Sequence, residues 1–419
     1  MTTLEAPPVR RPVAAARRRQ MPAVGWLAIV AVGLAVVSAV RLFSGATNLT
    51  SAGAVEAAIA AAVPIALAGL SGLWSERAGV VNIGLEGMMI LGTFGAGWAG
   101  YQWGPWAGVF FGVVCGALGG LLMGIAAITF GVDHIIAGVA VNIIAPGITL
   151  FLSELLFTNA PGGGQRQSPP VADVFRITIP GLTTWLGTIE AKHWFFVSDL
   201  AGIVRGMTTQ LSALSLLAAI LIAASGFVLW RTRFGLRLRS CGEAPYAAES
   251  LGVKVMRYKY AAMTISGSMA GLAGSFLVIG LKFQDGQTRG LGFIGLASMI
   301  FGNWRPGGLA MGAALFGYTD GVRLYDSANT ALHAVVLLLA VALVIVAALQ
   351  LKQGNRLVAM SGLIIAAAAA WWYFSTDQVP RQLTIAAPYA ITLIVMGLAS
   401  QRLRMPKADG LIYRKGGSA

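Results

Sequence analysis

Long apolar stretches recur along this chain, and no other feature restricts its fold as much. They run approximately from Val24 to Val40, Ser51 to Leu73, Asn82 to Gly100, Pro105 to Phe130, His134 to Phe157, Leu211 to Trp230, Tyr260 to Gly280, Leu291 to Gly302, Gly307 to Val322, Ala331 to Leu351, Leu357 to Tyr373 and Leu383 to Ser400. About 20 apolar residues in a helix match the hydrocarbon thickness of a bilayer, and a helix satisfies its own backbone hydrogen bonds there. The expected fold class is an all-α polytopic integral membrane protein of about 10–12 transmembrane helices, some broken or re-entrant. Val24 to Val40 exceeds the usual core of a signal peptide and reads as a first membrane helix. With 57% hydrophobic and 11% charged residues and a mean hydropathy of +0.74, a soluble enzyme is excluded.

The net charge of +14 sits in the connections, where it orients the helices and needs no nucleic acid to explain it. Arg231, Arg233, Arg237, Arg239, Lys254, Arg257 and Lys259 face only Glu243 and Glu249 in the loop 231–259. Alternating the spans from a cytoplasmic N-terminus puts that loop, the turn from Lys352 to Arg356 and the tail from Arg402 to Lys415 all inside, as the positive-inside rule requires. The expected organisation is a basic cytoplasmic arm (1–23), an N-terminal membrane half (24–230) with an external loop (158–210), and a cytoplasmic loop (231–259). A second membrane half (260–351), additional C-terminal spans (352–400) and a cytoplasmic tail (401–419) complete it. Within the basic loop, Glu243 to Leu251 is expected to form a short helix, with Gly242 and Gly252 as breakers and Pro245 in its first turn.

Two apolar stretches are interrupted. Leu291 to Gly302 is too short to cross a bilayer and is followed by Trp304, Arg305 and Pro306, so it is expected to form a re-entrant hairpin with the next stretch. Glycines and polar groups break the pattern between Ala78 and Gly87. Ile83-Gly84-Leu85 with Met88 matches Ile294-Gly295-Leu296 with Met299, as paired broken helices do around a midplane pathway in repeat-built transporters. Gly108, Gly112, Gly116, Gly120 and Gly124 recur every four residues and form a face for close helix packing. Gly267, Gly271 and Gly274 form a similar one. The external loop carries Trp185, Trp194, Phe195 and Phe196, suited to an interfacial belt or lid, or to docking a solute-binding protein.

Ionisable and amide groups at membrane depth are the candidate solute contacts, because burying them is costly. Asn82, Glu86 and Asn142 lie in or beside the first break; Phe283, Asp285 and Asn303 flank the second. Glu86 equally suits backbone amides freed at a helix break, or Arg77. Asp133 is expected to cap the helix that His134 opens. No phosphate-binding loop and no hydrolase or metal-protease motif is present, and three histidines lack metal-ligand spacing. The two cysteines, Cys115 and Cys241, imply neither a disulfide framework nor a thiolate metal site. Energy for uphill transport must come from another subunit or an ion gradient.

FGLRLRSCGE, continuing through Glu243, Ala247, Ala248 and Gly252, resembles the cytoplasmic coupling loop of ABC importer permeases. GLWSERAGVVNIGLEGMMILGTFGAG (72–97), VDHIIAGVAVNIIA (132–145) and LGFIGLASMIFGNWRPGGLAMGAALFG (291–317) resemble the branched-chain amino acid and simple-sugar superfamily of those permeases, most of all its nucleoside-uptake branch. The resemblance covers roughly Ser51 to Leu351; the basic arm, the long outer loop and the last two spans depart from it. It implies the ABC importer permease fold and no catalysis on this chain. Expected partners are a second, related but distinct permease, a cytoplasmic ATPase holding ATP and Mg, and an extracytoplasmic solute-binding lipoprotein. The implied cargo is a nucleoside, with simple sugars, branched-chain amino acids or a vitamin open on the same scaffold. Gly242, Glu243, Ala247, Ala248 and Gly252 would couple to the ATPase. An ion-coupled secondary transporter is the alternative of another class; it has no use for that loop.

Overall fold

The computed structural model describes residues 23–325, 330–352, 354–376 and 403–416. The first 22 residues of the basic arm and the stretch from Leu383 to Ser400 lie outside them. In chain order the helices are α1 (Ala23–Ser44), α2 (Ala52–Arg77), α3 (Leu85–Trp103), α4 (Pro105–Gly124), α5 (His134–Phe157), α6 (Leu182–Glu190), α7 (Val197–Thr208) and α8 (Ala213–Arg231). Then follow α9 (Arg233–Glu243), α10 (Pro245–Ser250), α11 (Val255–Val278), α12 (Leu291–Phe301), α13 (Pro306–Tyr325), α14 (Thr330–Lys352) and α15 (Arg356–Ser375). Among the described residues one two-stranded sheet pairs β1 (Arg176–Ile177) with β2 (Leu211–Ser212), antiparallel, with Arg176 opposite Ser212.

Among the described residues seven helices are long and apolar enough to cross a membrane: α2, α4 with the π-helical turn that follows it, α5, α8, α11, most of α14, and α15. The chain is a multi-pass membrane protein. α3 falls short of that hydropathy because glycines, Thr93 and Glu86 dilute it, yet it is buried along most of its length between α4, α5 and α11. Its surroundings are protein, so its own composition need not suit lipid.

α2, α3, α4, α11, α12 and α13 form the centre, and α2 packs most extensively against α13. Glycine sets how closely α3, α4 and α11 approach. A Cβ on Gly271 of α11 would lie 3.0 Å from the Gly116 Cα, and one on Gly92 of α3 would lie 2.5 Å from the Gly271 Cα. In lipid no hydrophobic force drives helices together, so this close backbone contact is the main gain. Gly112, Gly116 and Gly120 of α4 all face α11; Gly108 meets α3 at Ala96 and Gly100, and Gly124 meets Tyr260.

With 11 residues, α12 spans about 16 Å, half the hydrocarbon thickness. Gly295 lies against Ala68 and Gly69 in the middle of α2, and α12 turns back through Asn303 and Trp304 into α13. The hairpin is asymmetric, since α13 has 20 residues and α12 does not. Gly84 occupies the N-cap of α3, whereas Gly295 lies inside α12, so the shared Ile-Gly-Leu string marks different places in the two halves.

The basic loop holds two helices, differing from the single one expected over Glu243 to Leu251. Gly242 does not break the chain: it lies in the last turn of α9, and the break falls at Ala244, at φ −153° and ψ 81°. α10 begins at Pro245, whose fixed φ suits a first helical position and whose missing N–H costs nothing there. Gly252 at φ +81° ends it, donating to the Glu249 carbonyl while Val253 donates to Ala248. At the other end of the bundle the loop 158–210 folds into β1, α6 and α7, and α7 packs on α2.

Candidate functional site

The first broken segment, 78–84, returns from the end of α2 to the start of α3. Its free backbone groups are met by side chains of other helices. Asn142 of α5 clamps it, accepting from the Gly87 N–H at 2.7 Å and donating to the Ile83 carbonyl at 2.9 Å. Asn82, fully buried, donates to the Ser266 hydroxyl of α11 at 2.8 Å, and its Oδ1 is left without a partner. Glu86, one turn further on, reaches neither Arg77 nor its own break. Its two carboxyl oxygens accept the N–H groups of Gly290 and Gly292, each at 2.8 Å. Those amides open α12, so Glu86 caps a half-helix that begins at mid-depth. A helix start leaves such donors unpaired and carries a partial positive charge, which a carboxyl group offsets.

The remaining pathway candidates lie elsewhere. Phe283 is buried between Phe94 and Phe157, and its N–H donates to Ser168 at 3.0 Å. Asp285 pairs with Arg166 at 4.0 Å beside the loop 158–210. Asn303 sits at the opposite end, in the α12–α13 turn, where its Oδ1 accepts the Arg404 N–H at 2.7 Å. Asn82, Glu86 and Asn142 therefore form one group; Phe283 with Asp285 forms a second, and Asn303 belongs to a third.

That third group is built where the basic loop meets the ends of α2 and α12. Asn303 and Trp304 both have φ of 53°, a conformation costly for non-glycine residues. It is held from two sides. The Trp304 indole N–H donates to Glu76 at 2.6 Å, and Arg77 donates twice to the Trp304 carbonyl, at 2.6 and 3.1 Å. Arg77 also lies over the Trp230 ring at 5.2 Å, as Arg239 does at 5.5 Å. Gly242 presses on the Arg77 carbonyl, and a Cβ there would lie 3.0 Å from the Gly79 nitrogen. Of the coupling candidates, Gly242 thus touches the broken segment directly.

α10 is two-faced. Pro245 and Ala248 are buried, Ala248 against Cys241, Val255 and Tyr413. Glu243, Ala247 and Gly252 face outward, and Leu251 beside them is 85% exposed. A groove of about 380 Å³ next to α10 is lined by Phe234, Arg237, Val253, Lys254, Arg257 and Tyr258. Burial pushes the Cys241 thiol up to about 11, so it stays a packed thiol.

Sequence reading passed over Leu251, whose exposure only the fold reveals, and the C-terminal residues Asp409 and Tyr413. Asp409 carried one signal, as the single acid among the basic residues of 403–416. It is buried, and burial first, then the neighbouring Glu76 carboxyl, push its pKa up to about 9.

Membrane-length helices around a capped half-helix, with a small amphipathic element projecting at the basic end, define a permease-type membrane subunit. The chain belongs to the family described as branched-chain amino acid transport system / permease component, which matches residues 54–349. It is 38% identical to the guanosine ABC transporter permease protein NupQ of Bacillus subtilis over 65% of this chain and 82% of that one. It is 30% identical to the nucleoside ABC transporter permease protein NupC of Lactococcus lactis, over 84% and 93% of the two chains. The putative glucose ABC transporter permease protein TsgC13 of Haloferax volcanii is 31% identical over 65% and 78%. No solved structure matches. These relatives are transport subunits rather than enzymes.

Proposed function

We propose that this chain is the membrane-spanning subunit of an ATP-driven ABC importer and that its cargo is a nucleoside. The two relatives named for guanosine and nucleosides support the cargo, and NupC supports it over most of both chains. Coupling is carried by one observation: α10 keeps one face on the protein and offers Leu251, Ala247 and Glu243 to the outside beside a basic groove. A separate ATPase, holding ATP and Mg, docks there. An apolar knob entering a cleft supplies affinity, and basic residues around it select an acidic rim. The basic end is then cytoplasmic and the loop 158–210 external. Its exposed Phe175, Trp185, Trp194 and Phe195 suit contact with a solute-binding lipoprotein.

Closure of the ATPase on nucleotide moves α10. Through Gly242 against Arg77 and Gly79 that push reaches the broken segment, and through Glu86 it reaches α12. A half-helix capped at mid-depth can tilt as a unit without exposing backbone groups to lipid. Cargo passes between this chain and a second, related permease, by alternating access.

The test replaces Leu251 with Asp. Wild type should retain the ATPase through purification and accumulate radiolabelled guanosine. Leu251→Asp should insert normally, lose the ATPase and stop accumulation; retention of the ATPase by that variant would sink the docking assignment.

A further inference from the structure

The C-terminal segment 403–416 folds back over the basic end and touches almost every element that the coupling path uses. Its Ala408 N–H donates to the Gly242 carbonyl of α9 at 2.9 Å. Its Tyr413 ring packs on Tyr246 of α10 at 5.4 Å, and the Gly416 N–H reaches Glu249 at 3.5 Å. Arg404 bonds to Asn303 in the α12–α13 turn. The Asp409 carboxyl is buried beside that of Glu76 at the end of α2.

α10 by itself packs on little besides its sequence neighbours α9 and α11. A six-residue helix flanked by Ala244 and Gly252 would swivel if pushed, because short helices draw their stability from packing. The tail removes that freedom. Its inner face, Pro406, Ala408, Asp409 and Tyr413, is buried, and it spans from α10 through Gly242 to Glu76 and Asn303. We propose that segment 403–416 is a strap that makes α10, the end of α2 and the α12–α13 turn one rigid body, with Asp409 and Tyr413 as the residues that position α10 for force transmission. This rests on the reading of α10 as the ATPase-docking element.

The strap adds a third route to the two described above, and it grips α10 on its own side chains, Tyr246 and Glu249. Removing it should leave docking largely intact while wasting the stroke. In the complete importer reconstituted in liposomes, Tyr413→Ala and Asp409→Ala are compared with wild type by three readings: ATPase retained, solute-stimulated hydrolysis, and guanosine moved per ATP. The strap predicts retention and hydrolysis within about twofold of wild type, with guanosine per ATP reduced about fivefold or more, the low end of ordinary coupling between sites. Tyr413→Phe, which keeps the ring on Tyr246, should restore the ratio. If the variants instead lose protein level, hydrolysis and transport in proportion, with the ratio unchanged, the segment is only a structural cover and the proposal is overturned. Leu251→Asp runs alongside. Should it retain the ATPase, the docking reading fails by itself, while the transport ratio of the tail variants still decides the strap.

Discussion

Replacing Glu86 with Gln tests the geometry at mid-depth. The wild-type carboxyl group accepts two backbone N–H groups, Gly290 and Gly292, with one oxygen each. Gln has a single accepting oxygen, and its amide nitrogen must then face the other N–H, donor against donor. One buried donor is left unsatisfied, which costs about 1–3 kcal/mol. Little of this is recovered elsewhere, because the Gly292 nitrogen is buried with the Glu86 side chain packed on it. The loss falls on the opening equilibrium of the first turn of α12, so amide exchange there should quicken about 5- to 150-fold, the same range expressed as an equilibrium ratio. Hydrogen–deuterium exchange of the cargo-free protein in nanodiscs reads this directly on a peptide covering 290–301. A solute-contacting Glu86 behaves differently: the substitution would weaken cargo binding and leave exchange in the empty protein as it was. Unchanged exchange at Gly290 and Gly292 would refute the capping argument.

Three further outcomes follow from particular contacts. Gly271→Val should push α11 away from α4, where a Cβ already meets the Gly112 and Gly116 backbone, at about 1–3 kcal/mol for a side chain forced into a filled crossing; thermal unfolding in detergent checks it, and an unchanged midpoint contradicts the packing described. Asn142→Leu removes both bonds that clamp the broken segment and leaves the Gly87 N–H and Ile83 carbonyl open, about 1–3 kcal/mol each; proteolysis in the 78–87 region should accelerate, and no change would mean that the break holds itself. Docking of the tail should depend on pH. Asp409 has a pKa raised from 3.8 to about 9 when docked, so the docked form binds its proton more tightly than the free tail does. Docking is then fully favoured below about pH 4 and weakens as pH climbs through about 9. Glu76 from α2 opposes ionisation, while Lys259 from α11 and Arg77 favour it. Cleavage of the tail by trypsin should rise between pH 6 and 9 in wild type and stay flat in Asp409→Asn; a flat wild-type profile would contradict the burial of the Asp409 carboxyl beside Glu76.

The class of fold could be read from the chain because hydrophobic run length is a local property, and lipid imposes the helix on any such run. Asp133 was equally legible: an acid just before an apolar run caps it, and its Oδ1 accepts the N–H groups of Ile135 and Ile136 at 2.8 and 3.2 Å. Contacts across long separations were not. Nothing in the spacing around Glu86 points to Gly290, 204 positions away, and the four-residue recurrence of glycine in α4 marks a face without saying that α11 meets it. The start of α10 moved from Glu243 to Pro245 because Gly242 is fixed against Arg77, a contact outside the loop. Asn82, Asn303 and Asp285 share residue types suited to a solute, yet the chain's path sends them to three depths. That the tail folds back to Gly242, past six further described helices, has no signature in the spacing of its residues.

The most direct measurement is ATP-dependent uptake of radiolabelled guanosine by this permease with its ATPase and partner permease in liposomes, wild type beside Leu251→Asp. The account predicts accumulation against a gradient in the wild type, competed by other nucleosides and not by glucose, and none in the variant. Glucose uptake without guanosine uptake, or accumulation undiminished in Leu251→Asp, would contradict it.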